Sequence, residues 1–155
     1  QLLAAVERGQ KFGQGFATVE YLAAAIIDLA WHSLSASQAA ALSPADVTDF
    51  ENQALALAGL DMETIAPRYR STYFSHIFGG GYSAGYYSYL WAEVLDADGF
   101  EWFNGQQLRE AGQRFRELVL ARGGADDYTK AFETLRGRAK DITPLLKRRG
   151  LEGAV

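Results

Sequence analysis

Apolar positions recur at helical spacing along almost the whole chain. Leu2, Leu3 and Val6 mark the tail of one helix, released by "GQKFGQG". Thr18 is placed to cap a second helix, in which Val19, Leu22, Ile26, Leu29 and Ala30 fall at helical intervals. That helix is apolar on nearly all sides, which predicts a buried, central position. In "LSPADVTDFENQALALAGL", Ser43 suits a cap, Pro44 the first helical position, Asp46 the acid of a capping box, and Gly59 the stop. "DMETIAPRYRS" then breaks the pattern, with Pro67 pushing Ala66 away from helical backbone.

Beyond the glycines at 79–81, Ser83 is expected to cap a helix running to about Ala97. Asn104 with Gln107 opens another, with Leu108, Ala111, Phe115, Leu118 and Val119 on one face and a charged, solvated remainder. Asp126 is placed to cap a short helix ending at Gly137, and Thr143 with Pro144 starts a last one ending at Gly150. No segment alternates with the period of a strand. The expected class is all-α, an irregular helical bundle with a glycine-rich loop, residues 1–155 forming a single helical segment.

Composition narrows the functions. With 155 residues, 48% of them hydrophobic and 22% charged, the chain supports a core of ordinary globular kind. A net charge of -4 gives no basic face, so no nucleic-acid partner is expected. There is no cysteine and there are two histidines, His32 and His76, so neither a thiolate site nor a two-histidine metal motif at helical spacing can be written. The longest apolar run, "LAAAII", stops at Asp28, and no membrane span or secretory signal is read. The chain opens in what reads as mid-helix, so Gln1 is expected to be a cut end.

Two places hold candidate chemistry. Asp28 and His32 lie four apart on one helix face, either a structural pair or an acid–base dyad without a neighbouring nucleophile or metal. The second is "HIFGGGYSAGYYSYLW". If helix extends back far enough, Tyr82, Tyr86 and Tyr89 share a face with Glu93, while Tyr87, Leu90, Trp91 and Val94 turn toward a core. Gly79, Gly80 and Gly81 permit a tight bend or close approach to a ligand. Three interpretations stand: an aromatic packing helix after a turn, a phosphate cradle lacking the lysine and spacing of known motifs, or a mobile loop whose tyrosines donate hydrogen bonds to an oxyanion or peptide carbonyl.

The string His-x-x-Gly-Gly-Gly-Tyr-x-Ala-Gly-Tyr-Tyr-x-Tyr-Leu-Trp, inside "PRYRSTYFSHIFGGGYSAGYYSYLWAEVLDADGFEWF", closely resembles the C-terminal part of the thimet oligopeptidase family of zinc metallopeptidases. Within that family it is most similar to the peptidyl-dipeptidase (dipeptidyl carboxypeptidase) branch. "AAIIDLAWHSL", "FRELVLARGGADD" and "LRGRAKDITPLLKRRGL" resemble their counterparts in the same order, so the resemblance covers essentially the whole chain.

The resemblance implies part of the catalytic lobe of a larger, two-lobed helical peptidase that releases dipeptides from the C-terminus of oligopeptides. The alternatives are a relative that cuts internally and a non-catalytic peptide-binding module. It implies that Tyr82 and Tyr89 face the scissile peptide and stabilise the tetrahedral intermediate, that His76 lies beside the substrate backbone, and that Gly79 to Gly81 form a closing loop. Tyr86 joins the substrate-binding set, and Arg68 or Arg70 is a candidate for a substrate carboxylate, with surface charge the alternative. Zinc is implied for the parent enzyme. The family's His-Glu-x-x-His helix and downstream glutamate are absent here, so this chain is expected to bind no zinc and to be inactive alone. The expected partners are an oligopeptide and the missing N-terminal part of the same enzyme. Self-association of the segment is a further expectation. A cytoplasmic location is expected, with a periplasmic one left open.

Overall fold

The computed structural model describes residues 2–153 and contains no strand among them. The described elements are α-helices α1 (Leu2–Gln10), α2 (Gln14–His32), α3 (Ala36–Ala41), α4 (Val47–Leu57), α5 (Ser75–Phe78), α6 (Ser88–Phe103), α7 (Leu108–Leu118), α8 (Tyr128–Arg136) and α9 (Thr143–Arg149), with short 3-10 turns between some of them. The all-α class is as expected. The chain packs as two compact units, the first ending at Tyr89 and the second beginning at Leu90.

In the first unit α2 is the central element. Its start differs from expectation: the helix begins four residues before Thr18, behind Gly13 in left-handed backbone (φ 71°). Thr18 lies inside the helix and its hydroxyl donates to the Gln14 carbonyl at 2.6 Å, a back-bond open to a threonine within a helix. Three consecutive alanines, Ala23, Ala24 and Ala25, are buried and let neighbours approach closely on two sides. On one side Ala24 and Ala25 meet Phe74, Ile77 and Tyr86, flanked by Tyr21 and Tyr69. On the other, Ala23 and Ile27 meet Leu55 of α4, flanked by Trp31 and Leu60. Burying each of Ile27, Phe74 and Ile77 contributes roughly 1.5–3 kcal/mol. The all-round burial expected of α2 is only partial, because Leu29 remains 37% exposed.

Capping follows the sequence around α4: the Ser43 N–H and hydroxyl both donate to the Asp46 carboxylate, at 2.8 and 2.6 Å. Those two bonds hold the Asp46 carboxyl below the usual carboxylate range. Helix α3 is not among the expected elements, although Ser35 and Gln38 carry the serine-x-x-glutamine signature of a reciprocal capping box.

In the second unit Val94 and Ala97 of α6 pack with Leu145 of α9. Asp98, fully buried on α6, organises the C-terminal segment. Its carboxylate accepts Arg136 at 2.6 Å, Arg138 at 2.7 and 3.2 Å, and the Asp141 N–H at 3.1 Å. Asp127, one residue past the expected Asp126, caps α8 by accepting the N–H groups of Thr129 and Lys130. Gln107 precedes α7 as expected, while Asn104 lies outside it. Helix α9 begins with Thr143 and Pro144 and stops at Gly150 in left-handed backbone, as the sequence predicts.

Candidate functional site

Helix α6 does not begin at Ser83. It starts at Ser88, so Tyr82 and Tyr86 precede it and do not share a helical face with Tyr89. The cause lies in residues 82–85. The Gly85 N–H donates to the Tyr82 carbonyl at 3.1 Å, closing a tight turn, and Ala84 takes left-handed backbone (φ 56°). Ser83, instead of capping, donates its hydroxyl to the Ile77 carbonyl at 2.9 Å.

The turn nevertheless brings the tyrosines together, around His76 on α5. The Tyr82 ring stacks on the imidazole, with centroids 5.0 Å apart and planes 10° from parallel. The Tyr89 hydroxyl lies 3.2 Å from Nε2 of His76. It donates when that nitrogen is bare and accepts when it carries the proton. Tyr86 meets both His76 and Tyr89 edge to face, at 5.6 and 5.5 Å.

Exposure divides the three tyrosines. Tyr82 and Tyr89 are 59% and 50% exposed, so their hydroxyls are open to a ligand. Tyr86 is buried, stacked on Tyr21, and its carbonyl accepts the Tyr21 hydroxyl. Burial raises the Tyr86 phenol above the usual tyrosine value, an effect that the Arg68 guanidinium opposes, so the ring stays neutral. Tyr87, expected to face a core, is 49% exposed, and Trp91 is 42% exposed. Tyr86 and Tyr87 exchange places because the chain is a turn there, not a helix, while Trp91 is exposed on α6 itself.

The glycines have unequal roles. Gly79 is in extended backbone (φ −125°), whereas Gly80 and Gly81 sit at φ 117° and 83°, where side-chain-bearing residues are strained. Gly85 was not singled out from the sequence. A Cβ there would meet the Tyr82 carbonyl oxygen at 3.0 Å, so any side chain at this position would force the turn to give by a few tenths of an ångström.

The two arginines part company. Arg70 donates to Glu51 at 3.0 Å, and the nearly buried Glu51 also accepts the Ser71 N–H. Arg68 is exposed, and its positive charge opposes the upward shift of the Tyr86 phenol. Glu93, expected to extend the tyrosine stripe, instead accepts Arg149 within the second unit.

Asp28 and His32 meet as their spacing predicts, with Nδ1 of His32 2.7 Å from Oδ1 of Asp28. Among the described residues no group of three or more His, Cys, Asp or Glu is arranged to hold a metal. The described side chains therefore do not fit a zinc centre. No described helix is long and apolar enough to cross a membrane.

The family model for Peptidase family M3 matches residues 1–151. A dipeptidyl carboxypeptidase from Escherichia coli is 47% identical over 142 residues, covering 90% of this chain and 20% of that protein. The Salmonella typhimurium dipeptidyl carboxypeptidase is 46% identical over 149 residues, 95% of this chain and 21% of that protein. Escherichia coli oligopeptidase A is 48% identical over 82 residues, 52% of this chain and 12% of that protein. The chain thus spans about one fifth of the length of its dipeptidyl carboxypeptidase relatives.

Proposed function

Since the chain belongs to peptidase family M3, we propose that it forms the substrate-side segment of a zinc metallopeptidase that releases dipeptides from the C-terminus of oligopeptides. The observation that carries this reading is the grouping of two exposed phenol hydroxyls, on Tyr82 and Tyr89, about the ring of His76. Neutral hydroxyl donors suit a developing oxyanion, because they stabilise negative charge and stay protonated while doing so. His76 orients the Tyr89 hydroxyl and offers a stacking face that fixes Tyr82. Tyr86 serves as the packed floor under these groups and not as a direct substrate contact. Gly80 and Gly81 let residues 79–82 move or approach a peptide backbone.

The metal and its general base belong to other parts of the full-length protein in this proposal. Between the two arginines, Arg68 is the better partner for a substrate carboxylate, because Arg70 is already committed to Glu51. The extent of identity with the dipeptidyl carboxypeptidases, nearly the whole chain against about half for oligopeptidase A, favours exopeptidase over internal cleavage. Mass-spectrometric mapping of products from the full-length protein tests this. Stepwise loss of C-terminal dipeptides is expected, and scattered internal cuts would replace the proposal with the oligopeptidase mode.

A further inference from the structure

We infer that Asp28 is the positioning residue of the tyrosine turn, holding residues 84–86 so that Tyr82 and Tyr89 meet His76. The inference rests on the proposed role of those tyrosines for its catalytic consequence, and on geometry alone for its structural one.

Asp28 is fully buried on α2, yet it lies more than fifty residues from the turn it contacts. One oxygen, Oδ1, accepts the Ala84 N–H at 2.9 Å and Oδ2 accepts the Tyr86 N–H at 2.8 Å. His32 supplies the third donor, Nδ1–H, at 2.7 Å from Oδ1. Nδ1 is also 3.3 Å from the Ala84 N–H. That nitrogen has one role at a time, and the shorter bond to the carboxylate assigns it the proton. A buried carboxylate satisfied by three donors is stable only while all three stay in place.

The bond to Ala84 has a particular task. Left-handed backbone is unfavourable for a residue with a Cβ, which crowds the following carbonyl oxygen, and Ala84 sits there at φ 56°. The turn therefore does not hold this shape by local preference. The carboxylate supplies what holds it, by aiming both lone-pair edges at two N–H groups on either side of Gly85. Those two amides fix the direction in which the chain leaves for α6, and so the place of Tyr89. Glu51 performs the parallel task at the entry, accepting Ser71 N–H and Arg70. The segment carrying His76 and the tyrosines is thus tied to α4 before the site and to α2 after it.

The test uses Asp28→Asn in the full-length peptidase. The amide keeps the size but loses one acceptor, turning an NH2 toward a backbone N–H. Two measurements are made well below the melting temperature. Hydrogen–deuterium exchange over residues 82–89 reads the turn directly. Steady-state kinetics read its consequence. Expected are faster exchange in that segment and kcat lowered at least about tenfold with KM within about twofold, as misplacement of reacting groups produces. In a Tyr82→Phe, Tyr89→Phe background the same substitution should add little further loss, because it acts through those hydroxyls. Asp98→Asn, an equally buried carboxylate whose bonded partners all belong to the second unit, should lower stability and leave kcat unchanged.

Unchanged exchange in Asp28→Asn overturns the inference whatever the kinetics. Faster exchange with full activity, when Tyr82→Phe and Tyr89→Phe are also fully active, supports the positioning and overturns the proposed role of the tyrosines. Faster exchange with full activity, when those Tyr→Phe variants are impaired, overturns the inference. A tenfold loss that is fully additive in the double-Phe background also overturns it. If Asp28→Asn does not fold, His32→Ala removes one of the three donors and should give the same pattern at several-fold size. No change in either measurement for that variant overturns the inference.

Discussion

Tyr82 lies flat against the imidazole of His76, planes 10° apart, while Tyr89 reaches Nε2 of the same ring from another side. A single histidine therefore sets the position of two exposed hydroxyls that arise on different stretches of chain, one in a turn and one in the first turn of α6. If those hydroxyls bond the transition state, Tyr→Phe at either position removes a donor and keeps the ring. In the full-length protein we expect kcat to fall about a hundredfold, roughly 3 kcal/mol, with KM little changed. Tyr87→Phe, exposed but outside the cluster, should stay near the parent value. Full activity in both Tyr82→Phe and Tyr89→Phe ends the oxyanion assignment.

Gly85→Ala should be more damaging than Gly79→Ala. At Gly85 the added methyl meets the Tyr82 carbonyl oxygen at 3.0 Å, with the Tyr82 carbonyl carbon at 3.6 Å and the Ser83 carbonyl oxygen at 3.9 Å behind it. At Gly79 the nearest atom is the Ser75 carbonyl at 3.3 Å and the backbone is extended, so a shift of a few tenths of an ångström suffices. Gly80→Ala carries a backbone penalty of about 1–3 kcal/mol at φ 117° and should slow turnover by stiffening the loop. Melting curves and kcat for the three variants check the order, and equal behaviour of Gly85→Ala and Gly79→Ala contradicts it.

Arg68→Ala should weaken use of substrates with a free C-terminal carboxylate by about 2 kcal/mol, roughly thirtyfold in kcat/KM, and leave amidated substrates unaffected. Arg70→Ala strands the nearly buried Glu51 carboxylate and should act chiefly on melting temperature. Comparing free and amidated peptides separates the two. An identical loss on both substrates for Arg68→Ala removes the carboxylate role.

Asp98→Asn leaves the largely buried guanidinium of Arg136 without its anion. A loss of about 3 kcal/mol is expected, less whatever the 41%-exposed Arg138 recovers from water. Denaturant unfolding measures it, and a change under about 0.5 kcal/mol, the size of an ordinary surface substitution, refutes the role of Asp98 as organiser of α8 and α9.

The segment produced alone is expected to retain no stoichiometric zinc and to self-associate. The first follows from the absence of any suitable ligand group among the described residues. The second follows from large apolar side chains left open, among them Phe12 at 90%, Leu57 at 91% and Phe100 at 70%. Elemental analysis after dialysis and light scattering at high concentration address each separately. Retained zinc contradicts the first, and a clean monomer the second.

Local signals were legible wherever a few neighbouring residues decide the outcome. The Ser43–Pro44–Asp46 box, the Gly59 and Gly150 stops and the Thr143–Pro144 start need only adjacent backbone, and the sequence by itself determined them. So did the all-α class, through the period of its apolar positions. The residue types of the candidate site, a histidine, three glycines and a set of tyrosines, stand out in the sequence as well. Which tyrosine is buried was not. Helical spacing put Tyr82, Tyr86 and Tyr89 on one face and Tyr87 toward a core, but residues 82–87 precede the helix. The shape of that stretch depends on a carboxylate more than fifty residues earlier, on Asp28, which accepts the Ala84 and Tyr86 amides. A contact of that separation leaves no local period, and Ala84 does not advertise left-handed backbone. Only tertiary structure could decide the turn, because the energy that holds it there comes from another helix.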